Sequence, residues 1–222
     1  MSAVASPVAP RAELLSPAEL AAQLAARICH DLINPASAAV SGLDLLEDPS
    51  AQDMREDAMR LVEGSARKLV AQLAFARVAF GASASAQTFA AEELRRLAEG
   101  VFADMRADLD WAVTVSALAK PAARAVLNLA QMGGLALPTG GTARVIGAER
   151  DGRLVLAVEA EGPRARLRPE VPAGLRGGPN PGVAPGYWIQ AYYLRTLVEE
   201  AGGAVDFAAD ENRVVIRARL PG

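Results

Sequence analysis

Two side chains that carry much of the covalent and metal chemistry of proteins are almost missing from this chain. Its 222 residues hold one cysteine, Cys29, and one histidine, His30. A single cysteine excludes an internal disulfide and fits a reducing compartment. One histidine beside one cysteine falls short of the ligand set that a metal site needs. No apolar run reaches the length required to span a bilayer. The opening stretch MSAVASPVAPRAELL has no basic region followed by an apolar one, so it does not read as a secretory signal. The expected location is the cytoplasm. A net charge of −3 gives no nucleic-acid footprint. G-x-S-x-G, P-loop and G-x-G-x-x-G elements are also missing, which excludes the common serine-hydrolase and nucleotide-loop chemistries.

What is present is helical pattern first, then a mixture. Residues 1–15 read as a disordered tail. Ser16, Pro17 and Glu19 form a strong helix start, with a cap, a proline at the first helical position and a capping box. Apolar residues then recur at helical spacing to about Glu47. Pro49 breaks the pattern, and Ser50 with Asp53 suggests a second capping box before a helix running to about Phe80. Two long helices joined by a short connection make an antiparallel hairpin. Alone it exposes much of each apolar stripe, so pairing into a four-helix bundle as a homodimer is the expected remedy.

The predicted organisation is a hairpin over 16–81, a small polar linker over 82–87 and an α/β sandwich over 88–222. In the last part, AEELRRLAEGVFADM and PAARAVLNLAQMGGLAL read as helices. DWAVTVS, ARVIGAE, RLVLAVEAE and RVVIRARL read as strands, with Asp151-Gly152 as a hairpin turn. A Gly/Pro-rich region from Gly162 to Gly186 has room for one short helical turn. GYWIQAYYLRTLVEEAGG is a final helix ending on glycines.

The histidine's direction follows from helix geometry. With about 100° per residue, Leu24, Leu32, Pro35, Ala39, Leu43 and Leu46 fall within about 60° of Ile28. His30 falls near 200°, on the outer side, with Asn34, Ser37 and Ser41. A core histidine is excluded on that geometry; an inert surface residue and a lone nucleophile both stay open. Cys29 points about 100° away from His30, too far round the helix for a nucleophile–base dyad. It is expected to be a small packing residue.

HDLINP, from His30 to Pro35, resembles the H-box of two-component sensor histidine kinases, His-Asp/Glu-Leu-x-Asn/Thr-Pro. The resemblance implies a phosphorylated His30, assistance from Asp31 in proton transfer, polarisation of the reacting groups by Asn34, and a helix bent just past the histidine by Pro35. The second half resembles those kinases' Bergerat-type ATPase domain, but its boxes are degenerate. LNLAQMGG keeps Asn128 and puts Met132 where a magnesium-binding asparagine belongs; a thioether suits that hard cation poorly. VEAEGPRARL puts Ala160 at the adenine-reading aspartate and Arg164 at a glycine. APGYWIQAYYL keeps Gly186 but has Tyr187 and Trp188 where small residues let phosphates approach.

A reactive histidine without a phosphate source of its own resembles the ChpT family of histidine phosphotransferases, across residues 16–222. That resemblance implies a homodimer. It takes a phosphoryl group on His30 from the receiver domain of a hybrid histidine kinase and passes it to response-regulator receivers. Mg²⁺ comes from the partner receiver, and this chain binds no cofactor, nucleic acid or membrane. Ser37 and Ser41 are candidate docking residues or simply a solvated face, and the Arg164–Arg176 segment is a docking candidate or an ordinary loop. The competing expectations are an ATP-dependent sensor-type kinase with divergent boxes, and a non-catalytic receiver-docking scaffold. An anti-sigma-type kinase of the same fold lacks an H-box helix.

Overall fold

The computed structural model describes residues 15–81, 86–180, 182 and 185–222. Residues 1–14 of the expected tail and residues 82–85 of the expected linker lie outside these residues. Leu15 is described and belongs to the fold, because its backbone N–H donates to the Tyr192 hydroxyl at 3.0 Å.

Helix α1 (Pro17–Glu47) starts as the sequence predicts. The Ser16 side chain accepts from the Glu19 amide, and Glu19 reaches back to the Ser16 backbone. It is continuous through Pro35, whose ring is buried towards the second helix. The second capping box does not form. Ser50 bonds instead to Asp48 Oδ1 through both its amide and its hydroxyl, each at 2.7 Å. A 3-10 turn (Gln52–Met54) follows, and then helix α2 (Arg55–Ala79), without a side-chain cap. The short, polar connection satisfies its own backbone locally, which removes the need for that cap.

The remainder is a two-layer α/β sandwich. It comprises β1 (Thr88–Ala90), α3 (Ala91–Phe102), β2 (Ala107–Val113), β3 (Ala117–Ala119) and α4 (Lys120–Leu135). Then come β4 (Gly141–Arg150), β5 (Arg153–Glu161), α5 (Glu170–Leu175), α6 (Pro185–Glu200), β6 (Ala204–Asp210) and β7 (Arg213–Pro221). Five strands form one sheet in the order β2-β4-β5-β7-β6, with β2 parallel to β4 and every other pairing antiparallel. β1 and β3 make a separate small ribbon. The β4–β5 turn places Asp151 and Gly152 at φ 51° and 70°, the double left-handed turn that Asp-Gly favours.

One sheet face holds the core, where Val145, Leu156, Val158 and Ile216 meet Val126, Leu127 and Leu129 of α4 and Leu194 of α6. The other face is solvated and carries cross-strand ion pairs such as Arg144–Asp110 and Arg213–Glu159. Helix α4 rides close to the sheet at Gly133, where any Cβ would strike Val158.

The hairpin is docked on this sandwich at two places. At the end of α2, Phe75, Val78 and Ala79 join the main core. At the start of α1, Leu15, Leu20 and Leu24 pack on Trp188, Ile189 and Tyr192 of α6. Burial within α1 is confined to Arg27, Pro35 and Gly42. Leu43, placed by its periodicity on the inner face, is exposed, as are Leu61 and Leu73 of α2. Cys29 is also exposed, which corrects its reading as a packing residue. Helical period assigns a side chain to a stripe but not the neighbour that covers it.

Candidate functional site

The centre of the site is a run of three charged or titratable side chains whose exposure rises outward. The side chain of Arg27 is 6% exposed, that of Asp31 is 31% and that of His30 is 79%. Arg27 and Asp31 are four residues apart on α1, the spacing that brings helical side chains together. Their nearest atoms, Arg27 Nε and Asp31 Oδ2, lie 3.4 Å apart. That is an ion pair, but Arg27 Nε has no hydrogen-bond partner. Asp31 turns its other oxygen, Oδ1, towards His30 Nδ1 at 3.3 Å.

This contact bears on the tautomer. With the imidazole proton on Nδ1, facing the carboxylate, Nε2 carries the lone pair and points away from Asp31. A largely exposed, oriented imidazole is a nucleophile that another macromolecule can reach. Asn34, Ser37 and Ser41 are all exposed on the same helix. Their side chains make no hydrogen bond among the described residues, with His30 or with any other group. Pro35 faces inward. Its ring removes the N–H that would have bonded the Asp31 carbonyl one turn earlier, leaving that carbonyl without its helical partner.

Beside this row lies a cavity of about 810 Å³ between the hairpin and the sandwich. His30, Asp31 and Arg27 line its α1 side, Gln72 and Phe75 its α2 side, and Tyr187 its α6 side.

The boxes that look degenerate in sequence are filled or reused. Asn128 is fully buried and ties three helices together. Its Nδ2 donates to the carbonyls of Ala79 and Arg124 at 3.1 and 2.9 Å, and its Oδ1 accepts from Gln190 Nε2 at 3.2 Å. Met132 is buried, and beside it Tyr187, Gln190 and Leu167 leave a gap of only about 10 Å³. Ala160 is buried in the sheet between Ala143 and Val214. Arg164 sits at φ 59°, a left-handed turn position, and its amide donates to Asn212 Oδ1.

Trp188 differs from expectation. Its indole does not enter the gap beside Met132. It turns to the other side of α6, stacks on Tyr192 with ring centroids 4.9 Å apart, and donates to the Gly178 carbonyl at 3.0 Å. Its neighbour Tyr187 lines both the gap and the large cavity, together with Leu135 of α4.

Among the described residues no group of His, Cys, Asp and Glu could hold a metal ion, and no helix is long and apolar enough to cross a membrane.

Comparison with known proteins fits this arrangement. The family model for the histidine phosphotransferase C-terminal domain matches residues 91–213. The protein phosphotransferase ChpT of Brucella abortus (strain 2308) is 34% identical over 207 residues, spanning 92% of this chain and 97% of the relative. The chain belongs to the histidine phosphotransferase family. A bacterial phosphotransferase of known structure superposes with a TM-score of 0.83 at 31% identity, covering 93% of this chain and 98% of that one. The protein is therefore a phosphotransferase of a phosphorelay, and its sandwich is a family feature matched along nearly its whole length.

Arg27 is the member of the site that sequence reasoning missed. The signal was available, since an arginine four residues before an acid on a helix is an ion-pair spacing. Nothing local told that this guanidinium would be covered by a helix more than 150 positions away.

Proposed function

We propose that His30 is the phosphoryl carrier of this phosphotransferase. It accepts the group from the receiver-domain aspartate of a hybrid histidine kinase and hands it to receiver aspartates of response regulators. The observation that carries the reading is the exposed imidazole whose Nδ1 is engaged by Asp31, leaving Nε2 free.

In the forward step the Nε2 lone pair attacks phosphorus. The bond between phosphorus and the aspartyl oxygen breaks, and the receiver's carboxylate leaves with that electron pair. The Nδ1 proton stays in place, so the phosphorylated ring is an imidazolium, and the carboxylate of Asp31 stabilises its charge. Return to a second receiver reverses the same bonds. Mg²⁺ for both steps is supplied by the receiver, the chemistry a carboxylate-rich oxygen site provides.

Asn34, Ser37 and Ser41 lie on the exposed side of α1 where a receiver approaches. Small polar side chains there keep that approach open. The segment from Arg164 to Arg176 extends the docking face onto the sandwich.

ATP plays no part in this scheme. The near-filled space beside Met132, the alkane at Ala160 and the ring of Tyr187 support that reading over a sensor-type kinase with divergent boxes. The unit is a homodimer, supported by eight large apolar side chains left exposed among the described residues, all of them on the hairpin.

The test is phosphoryl transfer from phosphorylated receivers to purified protein. Wild type is expected to label, and His30→Gln is expected to stay folded and unlabelled. Incubation with Mg-ATP alone is expected to label neither. Label on the glutamine variant overturns the assignment of His30, and label from ATP alone overturns the ATP-independent scheme.

A further inference from the structure

The buried guanidinium at the back of the row has no role in the scheme above. Arg27 is engaged by the sandwich. Its Nη1 donates to the backbone carbonyl of Gly186, and its guanidinium carbon lies 5.7 Å from the Tyr187 ring centroid. Arg168 approaches the same ring at 4.4 Å. Gly186 and Tyr187 are what remains of the glycine box, the segment that in an ATPase of this fold lies against phosphates. A side chain at position 186 would meet Arg27, because a Cβ built there lies 3.5 Å from Nη1.

We propose that Arg27 is a positioning residue for phosphoryl transfer. Held by Gly186 and Tyr187, it anchors Asp31 Oδ2 so that Oδ1 faces His30 Nδ1 and keeps the imidazole in the tautomer that leaves Nε2 nucleophilic. The inference rests on His30 being the phosphoryl carrier.

The physical reasoning has three steps. A half-exposed aspartate next to a histidine on a helix has several rotamers, and holding it in one costs side-chain entropy. A cation fixed by burial and a backbone carbonyl supplies that restraint through its ion pair. The same cation engages Oδ2, so Oδ1 is the oxygen left to accept the ring N–H. Burial lowers the pKa of Arg27, and Asp31 and Tyr187 offset only part of that effect. In this arrangement the sandwich reaches the reactive histidine through one side chain, and the remnant of the nucleotide loop has become the support of the H-box acid.

The chain's single histidine makes the test direct. Full-length protein is treated with phosphoramidate, a small phosphoryl donor that needs no docking surface, and the rate of His30 phosphorylation is followed. Arg27→Gln is expected to slow it about tenfold, less than the roughly 10²–10⁴-fold of a group that itself transfers the proton, because Arg27 acts only through Asp31. Arg27→Lys, which keeps a cation, is expected to recover much of the rate. In ¹⁵N spectra of the one imidazole, the Nδ1–H tautomer is expected to dominate in wild type and to lose population in Arg27→Gln.

The decisive arm is a double-mutant cycle. In an Asp31→Asn background Arg27→Gln is expected to add no further loss, because Arg27 acts through Asp31. An equal slowing in both backgrounds, or an Arg27→Gln variant with wild-type rate and tautomer, overturns the proposal. His30→Gln runs alongside: its phosphorylation at the wild-type rate overturns the carrier assignment itself, whatever Arg27 does.

Discussion

Asn128 shows how a side chain from a nucleotide-box motif can serve as a structural bracket. In sequence it reads as the surviving half of a nucleotide box, and in the structure it is a fully buried bracket. The Ala79 carbonyl it binds ends α2, where no later amide of the helix can reach back. The Arg124 carbonyl already lies inside α4 and has its helical partner. Substituting Asn128 by alanine therefore orphans one buried carbonyl and leaves a small void. The expected cost is about 2–3 kcal/mol, read as a lower midpoint in urea unfolding with unchanged slope. Gln190 keeps its bond to Gln131 at 2.6 Å in that variant, which limits the damage. Sequence could flag Asn128 as noteworthy but not say why, because its three partners come from α2, α4 and α6.

At the scale of elements, local chemistry was read well and tertiary covering was not. The start of α1, the Asp-Gly turn, four of the five longer strands and the final glycine-stopped helix all follow from residues within one or two turns of each other, while β6 is not read as a strand. β1 and β3 are three residues each, too short to leave a pattern, and exist because they pair with one another. The start of α1 carries a testable pH dependence. The Ser16 side chain, and then its backbone, hydrogen-bond to Glu19 and hold its carboxyl below the usual range. A folded value below the unfolded one means the contribution is present above about pH 4.3 and is lost as pH falls through the folded value. Thermal melts across about pH 6 to pH 3 are expected to show a shallower acid decline for Glu19→Gln than for wild type. The effect belongs to an exposed cap and is expected to be small.

At the scale of the whole molecule the question is what covers the hairpin. The sandwich hides its own apolar surface, so the exposed residues collect on the two long helices. Ile33, Val40 and Leu43 come from α1, and Met59, Val70 and Leu73 from α2. Ile33 and Val40 are seven residues apart and Leu43 three further on, which lines them along one side of the helix. Such a patch marks an interaction surface. His30 lies at one end of this patch, about 60° round the helix from Ile33 and one turn before it, and its side chain is exposed. The wild-type chain is expected to be a dimer by light scattering, with a melting temperature that rises with protein concentration, as linked association requires. Ile33→Asp combined with Val40→Asp puts two unpaired carboxylates into the seam, and the expected product is a monomer with a less stable hairpin. The β-sheet signal should survive, because the core of the sandwich uses neither residue. A wild-type chain that stays monomeric at micromolar concentration would mean that these side chains meet a different partner. Each copy would then carry its phosphoryl group alone.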